Sequence, residues 1–151
     1  MARVTHKRVE AEEKKLSNND VLWNVRTRFT VAQINAGAEL LPALRRGQYR
    51  IVDMAMIAIG GAAGTATTVD ILATQAGASV KLLAVAIAAL TQNTLVRAGD
   101  ANTSILAGGA SFVDNDLNTA ITANKTGGAL DTATHIDVMV NYVIDGDDSP
   151  L

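Results

Sequence analysis

From Phe29 onward the chain is written in short apolar runs cut by Gly, Asn, Asp and Thr, with no long helical repeat among them. Alternating runs bounded by such residues read as strands joined by turns. Residues 49–59 (YRIVDMAMIAI) form the clearest strand. Its odd positions are Tyr49, Ile51, Asp53, Ala55, Ile57 and Ile59, and Arg50, Val52, Met54, Met56 and Ala58 take the other face. Both sets are mostly apolar, which predicts a central strand covered on both sides. Residues 68–74 alternate as a strand and 75–79 turn the chain. Residues 135–144 (HIDVMVNYVI) form the last strong strand, with Ile136, Val138, Val140 and Tyr142 on one face. Shorter candidates are 39–41, stopped by Pro42, and 95–97, 104–106 and 120–123. For residues 80–90 the Leu83, Ile87, Leu90 spacing fits a helix, whereas the turn flanks and neighbouring strands favour a sheet; strand is the reading taken. The fold class expected is all-β, an antiparallel β-sandwich or barrel-like body.

The N-terminal stretch has the opposite character. Residues 1–20 are dense in charge and nearly empty of large apolar side chains. Such a segment buries too little surface to offset its ordering entropy and stays extended until it meets a partner. The chain therefore divides into an arm, residues 1–28, and a β body, residues 29–151. Within the arm, residues 8–16 (RVEAEEKKL) suit two helical turns with a Glu10–Lys14 pair, too short to be stable alone. Residues 17–20 (SNND) read as a turn. Val21, Trp23 and Val25 then alternate with Leu22, Asn24 and Arg26 as an extended strand, in which Trp23 is the one large apolar anchor. Thr30 caps a single helical turn over 31–36, ended by Gly37. Arg45, Arg46, Gly47 and Gln48 read as a hairpin-like connection, and residues 60–67 as a loop.

Aromatics make up only 3% of the chain. Small side chains bury little area each, at about 25 cal/mol per Å², so a lone copy gains little and a homotrimer is expected. The chain has no cysteine, which removes disulfides, thiolate nucleophiles and Cys-ligated metal. Its first residues lack the apolar stretch of a signal peptide. Its most apolar window, 82–90, is nine residues against the roughly 20 a spanning helix needs. A soluble protein without membrane contact is expected. Residues 1–28 carry a net +3 and the remainder −5. A nucleic-acid binder would show a basic body with aromatics for stacking, so no nucleic acid is expected. A basic arm on an acidic neighbour fits better. The residues assigned to subunit or capsid contact are Trp23, Arg26, Arg28, Arg45 and Arg46.

No chemistry assembles from the remaining motifs. Residues 60–65 (GGAAGT) lack the Lys-Ser/Thr of a phosphate loop and no helix follows to direct at phosphate. His6 and His135 are isolated, and a zinc site needs more. Ser111 in GGASF lacks the alternate glycines of a nucleophile elbow. Asp114 and Asp116, beside Asn115 and Asn118, and Asp145, Asp147 and Asp148 lack the closing bidentate Glu of a calcium loop. They read as a solvated loop and a frayed tail. No enzyme activity, cofactor or metal is expected.

Several phrases carry a resemblance: residues 29–37 (FTVAQINAG), 49–53 (YRIVD), 60–63 (GGAA), 88–91 (AALT) and 132–138 (TATHIDV). Together they span about residues 29–143, and the chain resembles small structural proteins of tailed bacteriophages, the head decoration or capsid cement family. The resemblance implies a homotrimer on the outer surface of the virion capsid, made in the host cytoplasm, which binds the major capsid protein and links capsomers. The arm lies outside it. A tail- or fibre-associated β module is the competing reading. A sugar-binding form of that module would need exposed aromatics, which this chain can hardly spare.

Overall fold

The two long alternating runs become neighbours in one sheet. A computed structural model describes residues 22–101, 103–104 and 113–146. Nine strands lie in two antiparallel sheets among them: β1 (Trp23–Thr30), β2 (Ala38–Leu41), β3 (Gln48–Ile59), β4 (Gly64–Gln75), β5 (Ala78–Ala86), β6 (Leu95–Arg97), β7 (Thr103–Ser104), β8 (Ile121–Leu130) and β9 (His135–Asp145). The first sheet has the order β1-β9-β3-β6 and the second β2-β8-β4-β5-β7. The protein is an all-β sandwich. Its regular helix is α1 (Val31–Ala36), with a 3₁₀ turn at Ile87–Ala89. Among the described residues no helix is long and apolar enough to cross a membrane.

The core lies between the sheets, where β3 and β9 give Ile51, Met54, Met56, Ile136, Val138 and Val140, and β4, β5 and β8 give Val69, Ile71, Leu83, Val85 and Ile121. The strict alternation expected for β3 is broken. Ile51 opposes Tyr142 and Asp53 opposes Asn141, so Val52 is an extra residue. This bulge exchanges the two faces: Tyr49 and Ile51 point inward before it, Met54, Met56 and Ala58 after it. Neither is β3 covered on both sides, because the outward face of its sheet carries no second layer among the described residues.

Local signals account for much of the rest. Thr30 and Gln33 form a reciprocal capping box on α1, and Gly37 follows at φ 81°. Residues 80–86 are strand, and the helical spacing that competed there becomes the 3₁₀ turn. The β4–β5 hairpin closes through Ala76 and Gly77, both at positive φ, as a primed turn requires. The connection read as hairpin-like at 45–48 and the loop read at 60–67 belong to crossovers, since residues 42–47 and 60–63 each pass from one sheet to the other and residues 64–67 open β4. Residues 60–63 are held close to residues 131–134: Thr134 donates its N–H to the Ile59 carbonyl at 3.0 Å, and a Cβ on Gly60 would stand 2.9 Å from Thr134 Cγ2. That close approach accounts for the glycines.

The boundary drawn between arm and body shifts. Residues 23–28 are the first three-quarters of β1, an edge strand paired with β9 along its whole length. They belong to the sheet. Residues 1–21, with the helix and turn expected there and with His6, lie outside the described residues. So do 105–112, with Ser111 and most of the strand expected at 104–106, and Asp147 and Asp148.

Candidate functional site

Register and alternation place the candidate contact residues in different settings. On β1, Trp23, Val25, Thr27 and Phe29 share the inward side, while Asn24, Arg26 and Arg28 face out. Trp23 and the two arginines are thus on opposite sides of one strand. Arg26 and Arg28 do not project freely. Both close on Asp137 of β9, whose side chain is 1% exposed. Arg28 Nε donates to Oδ1 at 2.7 Å, and Arg26 Nη2 to Oδ2 at 2.5 Å. Hydrogen bonds from Arg28, then Arg26, hold the Asp137 carboxyl below the ordinary carboxylate range, against the opposing effect of its burial. Arg28 is raised in turn by that carboxylate.

This overturns part of the charge reading. Of the +3 counted for residues 1–28, +2 sits in the sheet and is already engaged by the body's own acid. Asp137 passed unremarked in the sequence. The available signal was an Asp in the middle of an apolar strand, with Arg-x-Arg, both on one face, elsewhere in the chain.

The same outward face carries a depression of about 200 Å³ lined by Asn24, Asp53, Ala55, Leu95, Arg97, Met139 and Asn141. Arg97 Nη2 bonds Asp53 Oδ2 at 2.6 Å, and Asn24 donates to Asn141. Leu95 stands 50% exposed. The outward face of the second sheet also buries a carboxylate: Asp70 accepts from Thr68 Oγ1 and Thr126 Oγ1, both at 2.7 Å, and pairs with Lys81 at 3.2 Å.

Trp23, Arg45 and Arg46 lie toward the same end of the sandwich, on different elements. Trp23 opposes Tyr142, Gln48 opposes Asp145, and the exposed Arg45 and Arg46 sit in the connection leading into Gln48. Trp23 is 44% exposed. Beneath it Tyr142 meets Tyr49 edge-on, 5.3 Å between ring centres, and Tyr49 donates to the Pro42 carbonyl at 2.7 Å. Burial pushes the Tyr49 phenol up to about 12.

At this end Asp114 and Asp116, read as a solvated loop, and Asp145, read as the start of a frayed tail, do structural work. Asp114 and Asp145 both pair with Arg50. Asn115 donates its N–H to the Tyr49 carbonyl at 2.8 Å, on the first sheet. Asp116 donates its N–H to the Thr74 carbonyl on the second, and its carboxylate accepts from Ala76 and Gly77. The segment stitches the two sheets together. Leu22 and Trp23, at the β1 edge, and Val113 and Leu117, flanking the segment beside β3, are four of the five large apolar side chains exposed among the described residues.

His135 stands at the start of β9 with Nδ1 3.0 Å from Thr134 Oγ1. Among the described residues no group of three or more His, Cys, Asp or Glu could hold a metal ion. No protein-family model matches this chain, and no curated protein matches it.

Proposed function

We propose that this protein is a structural component of a tailed-bacteriophage virion, which binds the outer surface of the capsid as a homotrimer and links capsomers. The observation that carries the reading is that Trp23, at the β1 edge, and Arg45 and Arg46, in the connection leading into β3, are exposed toward the same end of the sandwich. Exposed apolar groups rimmed by charge mark interaction surfaces, and Trp and Arg are the side chains that most often dominate binding energy. The described charged clusters, by contrast, are engaged in holding strands to strands, which favours an adhesive role over a chemical one. The resemblance of residues 29–143 to capsid decoration proteins supplies the phage and capsid parts of the proposal.

The test is to add the purified protein to capsids assembled without it. Saturable binding with a rise in capsid melting temperature is expected. Trp23→Ala should weaken binding about 30-fold, the equivalent of about 2 kcal/mol at an anchor tryptophan. Absence of binding by the parent protein at micromolar concentration overturns the reading.

A further inference from the structure

Each sheet of the sandwich has two edge strands, and among the described residues three of the four are short or broken. β6 has three residues and β7 two, while β2 has four, with a register shift between Glu39 and Leu41 and Pro42 directly after it. Folded chains keep edges short, bulged or closed by proline because an open edge is a template for another strand. β1 has none of these devices. It pairs with β9 over all eight residues in one unbroken register, contains no Pro, and has no strand beyond it among the described residues. Its two charges do not guard the edge, because Arg26 and Arg28 turn back over β9 to Asp137. We propose that the free edge of β1 is an interface between copies of this chain, in which two β1 strands pair antiparallel about a two-fold axis at Val25.

Burial along β1 places the contact. Its inward residues are uncovered toward the start of the strand: Phe29 is 4% exposed, Thr27 and Val25 are half-buried, and Trp23 is 44% exposed. The missing cover lies beside the first part of β1, away from α1, which follows its last residue. The sequence there complements itself. With the axis at Val25, Trp23 faces Thr27 of the second copy, Asn24 faces Arg26, and Val25 faces Val25. Arg26 gives Nε and Nη2 to Asp137 and keeps Nη1 for the Asn24 side-chain oxygen. Moving the axis to Arg26 sets Arg26 against Arg26, and moving it to Thr27 sets Arg26 against Arg28, where like charges directly opposite destabilise the pair. An axis at Asn24 leaves only residues 23–25 of β1 paired. Five paired residues a side are fewer than the roughly 20 of a stable interface, so the contact is weak in dilute solution and fills as concentration rises. A two-fold contact adds to a three-fold one without replacing it. The proposal is independent of the capsid reading and is tested without capsids.

The chain has no cysteine, so one introduced cysteine can form a disulfide only between copies. In the full-length protein, Val25→Cys and Thr27→Cys are oxidised separately. Both positions are half-buried on the inward side of one strand. In the proposed pairing, position 25 lies opposite itself at about 5 Å between Cα atoms, a disulfide distance, whereas position 27 lies about 13 Å along the strand from its copy. The expected result is a disulfide forming about tenfold faster at position 25. In the Val25→Cys background, Asn24→Asp should raise that rate by setting a carboxylate against Arg26, and Asn24→Arg should lower it. In the parent protein, the alternate amides of residues 23–27 that do not bond β9 should exchange more slowly at about 1 mM than at about 10 µM. This second measurement decides the matter if circular dichroism shows Val25→Cys to be unfolded. Equal rates at positions 25 and 27, or β1 exchange that does not change with concentration, overturn the pairing. A rate at position 25 that neither change at Asn24 moves overturns the register.

Discussion

Asp137 is the residue on which the edge of the first sheet depends. Its carboxylate is buried, while the guanidinium groups that neutralise it are half in water. Charge-assisted hydrogen bonds of this kind contribute about 2 kcal/mol, so Asp137→Asn should lower stability by about that amount in urea denaturation. The pH dependence has a definite sign. The folded-state pKa lies below the unfolded one, so the contribution is complete above about pH 4, the unfolded carboxylate range, and is lost as pH falls through the lower folded value. Between neutral pH and about pH 3 the parent should therefore lose more stability than Asp137→Asn, and the two curves should converge in acid. Gly60 offers a second test. Its φ of 80° costs any other residue about 1 kcal/mol, as it would at Gly77, where φ is 75° and a Cβ meets nothing within 4 Å. At Gly60 the Cβ also meets Thr134, whose Oγ1 and N–H both bond the Ile59 carbonyl. Gly60→Ala should cost about 3 kcal/mol and Gly77→Ala about 1, measured by the same titration.

Among the elements, the β4–β5 hairpin is built from a poor turn sequence and a good brace. A primed turn favours Asn-Gly, yet Ala76 occupies the first position at φ 52°. The Asp116 carboxylate offsets this by accepting both turn N–H groups, at 3.0 Å from Ala76 and 2.7 Å from Gly77. Asp116→Ala should thus cost about 2 kcal/mol. Ala76→Asn should raise the thermal midpoint of the parent and recover part of the loss in Asp116→Ala, because the two changes act on one turn. The sequence was most legible where one local rule decided the outcome. The Thr30-to-Gln33 cap, the alternation of β9 and the turn at residues 75–79 are of that kind. It was least legible where a partner distant in sequence decided. Val52 bulges only because β9 pairs with β3 on both sides of it, and Arg26 and Arg28 read as free adhesive charges until Asp137, over a hundred residues away, is placed between them. Trp23, Arg45 and Arg46 were singled out by residue type. Their placement toward the same end comes from a register that no local pattern encodes.

For the whole molecule, the buried core is Ile, Leu, Met and Val with alanines among them and two aromatics, Phe29 and Tyr49, and the proposed trimer is tested by mass. Light scattering of the purified protein should give three times the 15.7 kDa chain mass at micromolar concentration, and a monomer mass would count against the trimer. Removing residues 1–22 should leave the sandwich folded, because β1 and its pairing with β9 begin at Trp23. Circular dichroism should show the strand signal of the parent, and loss of that signal would mean that the segment is needed to hold the edge of the sheet.

The order β1-β9-β3-β6 also fixes when this sheet can exist. Its innermost seam joins β9 to β1 on one side and β3 on the other, so the first and third strands made wait for the ninth. Until then Arg26 and Arg28 have no carboxylate to close on, and β1 and β3 present unpaired backbone to any strand nearby. Loops of this length close slowly, and such edges are what aggregation and chaperones act upon. The second sheet can start from the local β4–β5 hairpin. The first is assembled only after its last strand has left the ribosome, and it is there that a growing chain is exposed for longest.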